Sequence, residues 1–191
     1  MNFNLIYESF SDILKGLGAS LEIIILSLFL GLLLSLGIVM MRLTKNIVLN
    51  SFSRSFVFVI RGTPLLVQIY FIYYGLAQFT AIRESFIWIV LKEPFWCGVL
   101  ALTINTSAYT SEIIRSGLNS VIKGQSESAV AFGMNKFQAF KRILLPQAIR
   151  QSIPAYSNEI ILMIKASSLV SVITIMEMTG IARKIISKTF A

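Results

Sequence analysis

Two ionisable residues, Glu159 and Lys165, interrupt an apolar stretch near the carboxyl end of the chain. A charged side chain inside a membrane is costly, so it faces the protein interior, a partner or a water-filled cavity. Because a helix turns by roughly 100° per residue, the two side chains lie on different sides and do not pair with each other. They either complement the ammonium and carboxylate of a zwitterionic ligand or anchor their helix through interhelical hydrogen bonds and snorkelling.

Other polar side chains within apolar segments are candidates for lining a path, although such groups often only join helices by hydrogen bonds. They are Gln68, Asn105, Thr106, Ser107, Asn158, Ser167 and Ser168. The run Arg61, Gly62, Thr63 and Pro64 adds a second feature, because Pro64 lacks an N–H and leaves carbonyls free where a helix kinks. We interpret this run either as a gating element near the inner mouth of a path or as a plain helix start.

Catalytic and metal chemistry is not predicted from these residues. The chain of 191 residues has no histidine and a single cysteine, Cys97, which excludes His-based triads, His-based metal sites and an internal disulfide. We therefore expect no His-based catalysis and no metal site. Hydrophobic residues make up 55% and charged residues 14%, whereas soluble domains carry about 25% charged residues. The composition indicates an all-α membrane protein.

Apolar segments of about 20 residues predict membrane-spanning helices. We predict a single transmembrane domain over residues 1–191 with four spans, at about 21–41, 57–82, 94–114 and 153–176. A long polar segment, about 118–149, separates the last two spans.

The basic residues give the orientation, because cytoplasmic loops carry an excess of Lys and Arg. The whole net charge of +8 lies in residues 42–61 and 112–150. Both regions are therefore predicted to be cytoplasmic and the amino terminus to be outside. Basic residues are not interleaved with a soluble aromatic platform, so no nucleic acid partner is expected. Three basic residues near the end oppose the rule, and we expect them on an amphipathic segment at the outer surface: Arg183, Lys184 and Lys188.

The long cytoplasmic segment has the signals of two capped helices. Ser126 is predicted to cap a short helix with Glu127 in its first turn, and Gly133 to end it with a positive φ. Asn135 is predicted to cap the next helix, and Pro146 to interrupt the pattern. Such an exposed short helix suits insertion into a groove of a soluble partner, and an ordinary surface turn is the alternative.

The spacing within this segment resembles the EAA loop of ABC importer permeases. The pattern is Glu127-Ser128-Ala129, three residues, Gly133, nine residues, and then Ile143-x-Leu145-Pro146, with Ser128 in place of the usual Ala. The stretch from Arg61 to Gly75 and the stretch from Ala108 to Gly117 are similar to signatures of the polar amino acid subfamily (the histidine, glutamine, arginine and opine group). Asn158-Glu159 and Lys165-Ala-Ser-Ser-Leu169 also resemble that subfamily, with Ala166 where an acid is common.

This resemblance implies a type I ABC importer transmembrane domain in the cytoplasmic (inner) membrane. It implies a second permease subunit, identical or related, ATPase subunits docked on the EAA loop, and an extracytoplasmic solute-binding protein. It also implies that this chain is not an enzyme and binds no cofactor itself: ATP and Mg²⁺ would bind the ATPase, because this sequence has no phosphate-binding loop. The family usually has a fifth span after the position of Phe190, so we expect four of the five spans here. The alternatives are a secondary amino acid transporter and a non-transporting membrane scaffold.

Overall fold

The computed structural model describes the backbone of residues 3–121 and 123–189, and their side chains except those of residues 3–6, 123, 126 and 127. Every regular element within these described ranges is helical, as the apolar composition predicts. The α-helices are α1 (Phe3–Lys15), α2 (Leu17–Leu43), α3 (Ile47–Gly62), α4 (Leu65–Tyr70), α5 (Thr80–Arg83), α6 (Trp88–Leu91), α7 (Pro94–Ser120), α8 (Lys123–Ala131), α9 (Lys136–Ala139), α10 (Leu145–Ser167) and α11 (Met178–Thr189).

Helices α2 and α7 form the most extensive helix pair of the described chain, and α10 packs against α7 and also touches α2. Small residues line the contact, which lets the helix backbones approach closely without help from the hydrophobic effect in lipid. Gly31 of α2 faces the methyl group of Thr106, and a Cβ at this glycine would overlap that methyl group. The Ser27 hydroxyl also lies 3.4 Å from the Val99 carbonyl oxygen. This pair is the frame on which the other helices are placed.

The second predicted span, 57–82, is a bent pair of helices rather than one rod. Helix α3 begins at Ile47 and ends at Gly62, and the chain then turns by 106° into the helical stretch Leu65–Gln78. The turn lies at Thr63 and Pro64, where both backbones are extended. Pro64 has no N–H to donate to the preceding turn, which explains why α3 does not continue. A π-helical turn, Phe71–Gly75, follows α4 directly.

The segment between α7 and α10 has the predicted Gly133 and Asn135 caps. Gly133 has a φ of 81° and ends α8, and the Asn135 side chain accepts from the Gln138 N–H in a reciprocal capping box at the start of α9. These two predictions are confirmed. The prediction that Ser126 begins the first helix was wrong, because α8 starts at Lys123 and Ser126 lies inside it. A Ser-Glu pair is a cap signal only where the preceding backbone is non-helical.

The prediction that Pro146 interrupts the helical pattern was wrong, because the helical stretch Lys136–Ile173 continues through this residue. A π-helical turn, Phe140–Leu144, precedes α10, and Pro146 lies in the first turn of α10. Proline is tolerated in a first turn, where its missing N–H would lack an intrahelical partner in any case.

Helix α11 carries the three basic residues near the carboxyl end, and it packs against α1. Its first turn is capped by Glu177, whose side-chain oxygens accept from the Thr179 N–H at 2.9 Å and the Gly180 N–H at 2.8 Å. Glu177 is only 2% exposed. Ser20, near the start of α2, accepts from the Met178 N–H at 3.2 Å, which ties the two ends of the chain together.

Two helical stretches among the described residues are long and apolar enough to cross a membrane, Tyr7–Leu43 and Lys136–Ile173. The bent pair formed by α3 and the stretch after it would be a third. Helix α7 has 27 residues but carries more polar side chains. The number of spans therefore stays a prediction.

Candidate substrate groove and coupling loop

Glu159 is a buried carboxylate near the middle of α10. Its side chain is packed against α7, and the residue is 6% exposed. Thr106 of α7 donates a hydrogen bond from its hydroxyl to Glu159 Oε1 at 2.9 Å. Because Gly31 packs on the methyl group of the same threonine, Glu159 is held at the level where α2, α7 and α10 meet. No basic side chain of the described residues forms an ion pair with it.

Gln68 fills the break between α3 and α4. Its side-chain amide nitrogen donates to the Ile60 carbonyl at 2.8 Å and to the Thr63 carbonyl at 3.1 Å. These carbonyls would otherwise lose their partners where the helix stops, which is unfavourable in a membrane. Asn105 of α7 in turn donates to Gln68 Oε1 at 3.1 Å. The break is therefore a hydrogen-bonded structure joined to α7.

A groove of about 500 Å³ lies between this break, α7 and α10. It falls within the size range of ligand pockets, about 300–1,000 Å³. Its lining includes the whole run 61–64 together with Asn105, Tyr109 and Glu159. The Arg61 guanidinium lies 5.1 Å from the centre of the Tyr109 ring. The groove therefore has a carboxylate and a guanidinium on its walls, with polar amides nearby.

Of the nine residues predicted to line a path, Asn105 and Glu159 line the groove and the other seven do not. Lys165 and Asn158 are exposed on other faces of α10 and do not line the groove. The Ser167 and Ser168 hydroxyls donate to carbonyls of their own helix, at 2.8 Å and 2.7 Å. The basic group that shares the groove with Glu159 is thus Arg61 rather than Lys165.

Sequence reasoning missed a charged cluster at the end of the α2–α7 contact. Arg115 of α7 donates to Glu112 Oε2 from two nitrogens, at 3.0 Å and 2.6 Å. Arg42 of α2 lies 3.3 Å from Glu112 Oε1. The spacing of Glu112 and Arg115 is a helical pairing signal. The partnership with Arg42 joins distant parts of the chain and has no local signal.

Most described side chains of the EAA-like segment are exposed or half-buried, and two small ones, Ala129 and Ala139, are buried. Ala129 is 2% exposed and packs inward, whereas Ser128 and Gly133 are exposed. Glu127 belongs to α8 by its backbone, and its side chain lies outside the described residues. The three terminal residues of the pattern, Ile143, Leu145 and Pro146, lie where the π-helical turn meets α10. A hydrogen bond from the Gln147 amide to Gln125 holds α8 against α10.

Comparison with known proteins identifies the family. Residues 27–190 match the family described as "Binding-protein-dependent transport system inner membrane component". The octopine transport system permease protein OccM of Rhizobium radiobacter is 50% identical over 185 residues, which cover 97% of this chain and 76% of that protein. The nopaline transport system permease protein NocM of Agrobacterium fabrum is 48% identical, over 100% of this chain and 80% of that protein.

More distant relatives agree. The arginine ABC transporter permease protein ArtM of Escherichia coli K12 is 37% identical over 96% of this chain and 83% of its own length. A solved structure described as "Crystal structure of an amino acid ABC transporter with histidines" matches with a TM-score of 0.88 and 37% identity, covering 100% of this chain and 85% of that chain. The resemblance seen in the EAA loop is confirmed: the chain belongs to the family of inner membrane components of binding-protein-dependent transport systems, the permease subunits of ABC importers.

Proposed function

We propose that this permease subunit passes polar amino acids of the arginine and opine type, and that the groove containing Glu159 is where they bind within the membrane. The observation that carries this proposal is the buried Glu159 carboxylate, with no basic partner among the described residues. A buried carboxylate without an ion-pair partner is unfavourable. A cationic ligand group removes that cost.

The lining of the groove suits a zwitterion. The ammonium or guanidinium of the ligand would lie at Glu159 and its carboxylate at the guanidinium of Arg61, and Asn105 is a further polar group of the same lining. The relatives are named for octopine, nopaline and arginine. Each of these compounds carries both a guanidinium and a carboxylate, which is the chemistry that the groove offers.

The family suggests the partners, and the basic loops suggest the orientation. By the positive-inside rule, α8 and α9 are predicted to lie in the cytoplasm and the amino terminus outside. ATPase subunits would dock there and bind ATP and Mg²⁺, a second permease subunit would complete the pathway, and a solute-binding protein would deliver the ligand from outside. Movement of α8 and α9 with the ATPase would open the groove first to one side of the membrane and then to the other.

The surface of the EAA-like segment supports docking of the ATPase. Val130, Phe132 and Phe137 are 54%, 87% and 70% exposed. Exposed apolar side chains on short helices are typical of helix-in-groove contacts with a partner protein. The buried Ala129 and the hydrogen bond between α8 and α10 would transmit a movement of α8 to the helix that carries Glu159.

Replacement of Gly133 by valine tests the coupling. A β-branched residue is strained at a φ of 81°, and a strained backbone costs about 1–3 kcal/mol. We expect the variant to insert in the membrane at normal abundance, to lose co-purifying ATPase and to lose ATP-dependent uptake.

Gly37→Val is the matched control, because Gly37 also has nothing within 4 Å but no positive φ, and it lies in α2, outside the EAA-like segment. Assembly and ATP-driven uptake that survive in Gly133→Val would contradict the proposed coupling. Uptake by the wild-type complex that needs an ion gradient and no ATP would support a secondary transporter instead.

A further inference from the structure

Three cavities of the described structure meet at one pair of residues, Arg61 and Tyr109. The first is the groove at Glu159, and the others are about 520 Å³ and 390 Å³ in volume. All three are lined by Arg61 and Tyr109. A ligand that leaves the groove towards the two other cavities therefore passes this pair.

The larger of the two other cavities has an excess of positive charge. Arg42, Arg54 and Arg61 line it together with a single carboxylate, Glu112. Arg115 already holds that carboxylate through two nitrogens, at 3.0 Å and 2.6 Å, so its contact with Arg42 at 3.3 Å is the weaker one. Within the described part of the chain, neither Arg54 nor Arg61 has an ion-pair partner. The side chains that line this cavity therefore favour the binding of an anion.

The position of this cavity along the helices is also informative. Glu112 follows Thr106 on α7 by about 9 Å, at a rise of roughly 1.5 Å per residue. Arg42 lies at the end of α2, in its last turn. The arginine cavity therefore lies between the groove and the end of the α2–α7 pair that carries the basic loops.

We propose that the cavity lined by Arg42, Arg54 and Arg61 is a second binding site, which takes the carboxylate of the transported amino acid as it leaves the Glu159 groove for the cytoplasm. This inference rests on the proposed function and orientation. Arg61 contacts both cavities, so it can hand the carboxylate from one to the other without leaving it unpaired. Its contact with the Tyr109 ring, 5.1 Å from the ring centre, is a partly exposed cation–π interaction, which is weak and easily given up.

A carboxylate ligand is favoured over a lipid phosphate by the shared lining. A lipid headgroup needs access only from the membrane surface, whereas this cavity shares Arg61, Gly62 and Tyr109 with the groove. That continuity is what a path for a small solute requires.

The test is substitution of Arg54, which lines the cavity, has no ion-pair partner among the described residues and does not line the groove. The complete complex, with its ATPase and binding protein, is reconstituted and ATP-driven uptake of radiolabelled arginine is measured. We expect Arg54→Gln to lower the maximal uptake rate about tenfold, the effect of losing one charge-assisted contact. The half-saturating concentration should stay the same, because the binding protein selects the ligand. Arg54→Lys should recover most of the rate.

Arg150→Gln is the control, because it removes one exposed positive charge from the same predicted side without touching the cavity. A rate for Arg54→Gln equal to that of this control would overturn the proposal. So would an Arg54 effect that appears in phosphatidylglycerol-containing vesicles and vanishes in pure phosphatidylcholine, since that pattern assigns the cavity to a lipid phosphate. Failure of the wild-type complex to take up arginine or octopine with ATP would instead refute the proposed function.

Discussion

At the scale of single residues, Glu159 is defined by what surrounds it rather than by its place in the chain. Its hydrogen bond comes from Thr106, far away in sequence, and its burial comes from the packing of α10 on α7. A carboxylate in such surroundings is stabilised by each donor or cation that reaches it. The groove leaves one side of it for a ligand.

Glu159→Gln is the direct test of that role. Glutamine keeps the volume and an oxygen that accepts from Thr106, so folding and subunit abundance should be unchanged. It removes the negative charge, and loss of a charged hydrogen bond to the ligand should lower ATP-driven arginine uptake about tenfold or more. Uptake of the radiolabelled ligand, divided by the amount of permease in the membrane, is the measurement.

Lys165→Gln serves as the comparison for Glu159→Gln, because Lys165 is an exposed charge on the same helix outside the groove. It should leave uptake within about twofold, as most exposed substitutions change energies by less than 0.5 kcal/mol. Parallel losses of abundance and uptake in Glu159→Gln would mean that Glu159 only holds the helices together.

At the scale of elements, the close contact of α2 with α7 positions the groove. Gly31 allows α2 to lie against Thr106, and Thr106 uses its hydroxyl for Glu159 and its methyl group for Gly31. A shift of either helix would therefore move the donor away from the carboxylate. The broken helix is fixed to the same frame through Gln68 and Asn105.

Gly31→Leu should disturb this contact, and Gly37→Leu should not. A side chain at Gly31 overlaps Thr106, whereas Gly37 on the same helix has nothing within 4 Å. Overpacking costs about 1–3 kcal/mol, which lowers the melting temperature by roughly 2–4 °C per kcal/mol in a chain of this size. Thermal unfolding of the two purified variants in detergent gives the comparison. Equal melting temperatures would show that the helices separate without cost.

At the scale of the whole molecule, the predicted orientation in the membrane assigns each end of the helices to a compartment. The prediction of an outside amino terminus rests on the basic loops. Cys97 is the single cysteine of the sequence and is 1% exposed. Replacing it by alanine therefore gives a background without any thiol. Tyr7 and Phe132 are 78% and 87% exposed. In the predicted topology they lie on opposite sides of the membrane.

Single cysteines at these two positions should label differently. In right-side-out vesicles, a membrane-impermeant maleimide should modify Tyr7→Cys directly and Phe132→Cys only after the membrane is permeabilised. The reverse pattern would invert the predicted orientation, and with it the side on which the ATPase docks. Labelling of both without permeabilisation would indicate damaged vesicles, which an ATPase latency assay identifies beforehand.

The sequence by itself determined the features that depend on neighbouring residues. Apolar composition specified helices in lipid, Gly133 and Asn135 specified local caps, and the spacing of the EAA-like loop identified the family. Each of these features depends on a short stretch of sequence, because composition, cap chemistry and motif spacing act over a few helical turns. The Ser126 cap failed for the same reason: the helix had already begun, and a local pattern does not contain that information.

Only the tertiary structure decided which distant residues meet. It paired Glu159 with Thr106 and placed Arg61 in the groove instead of Lys165, and it brought Arg42 to Glu112. The physical reason is that these contacts depend on the rotation and depth of whole helices, which the small residues at Gly31 and the bend at Pro64 set. Local sequence specifies which groups are polar, but packing specifies which of them share a cavity.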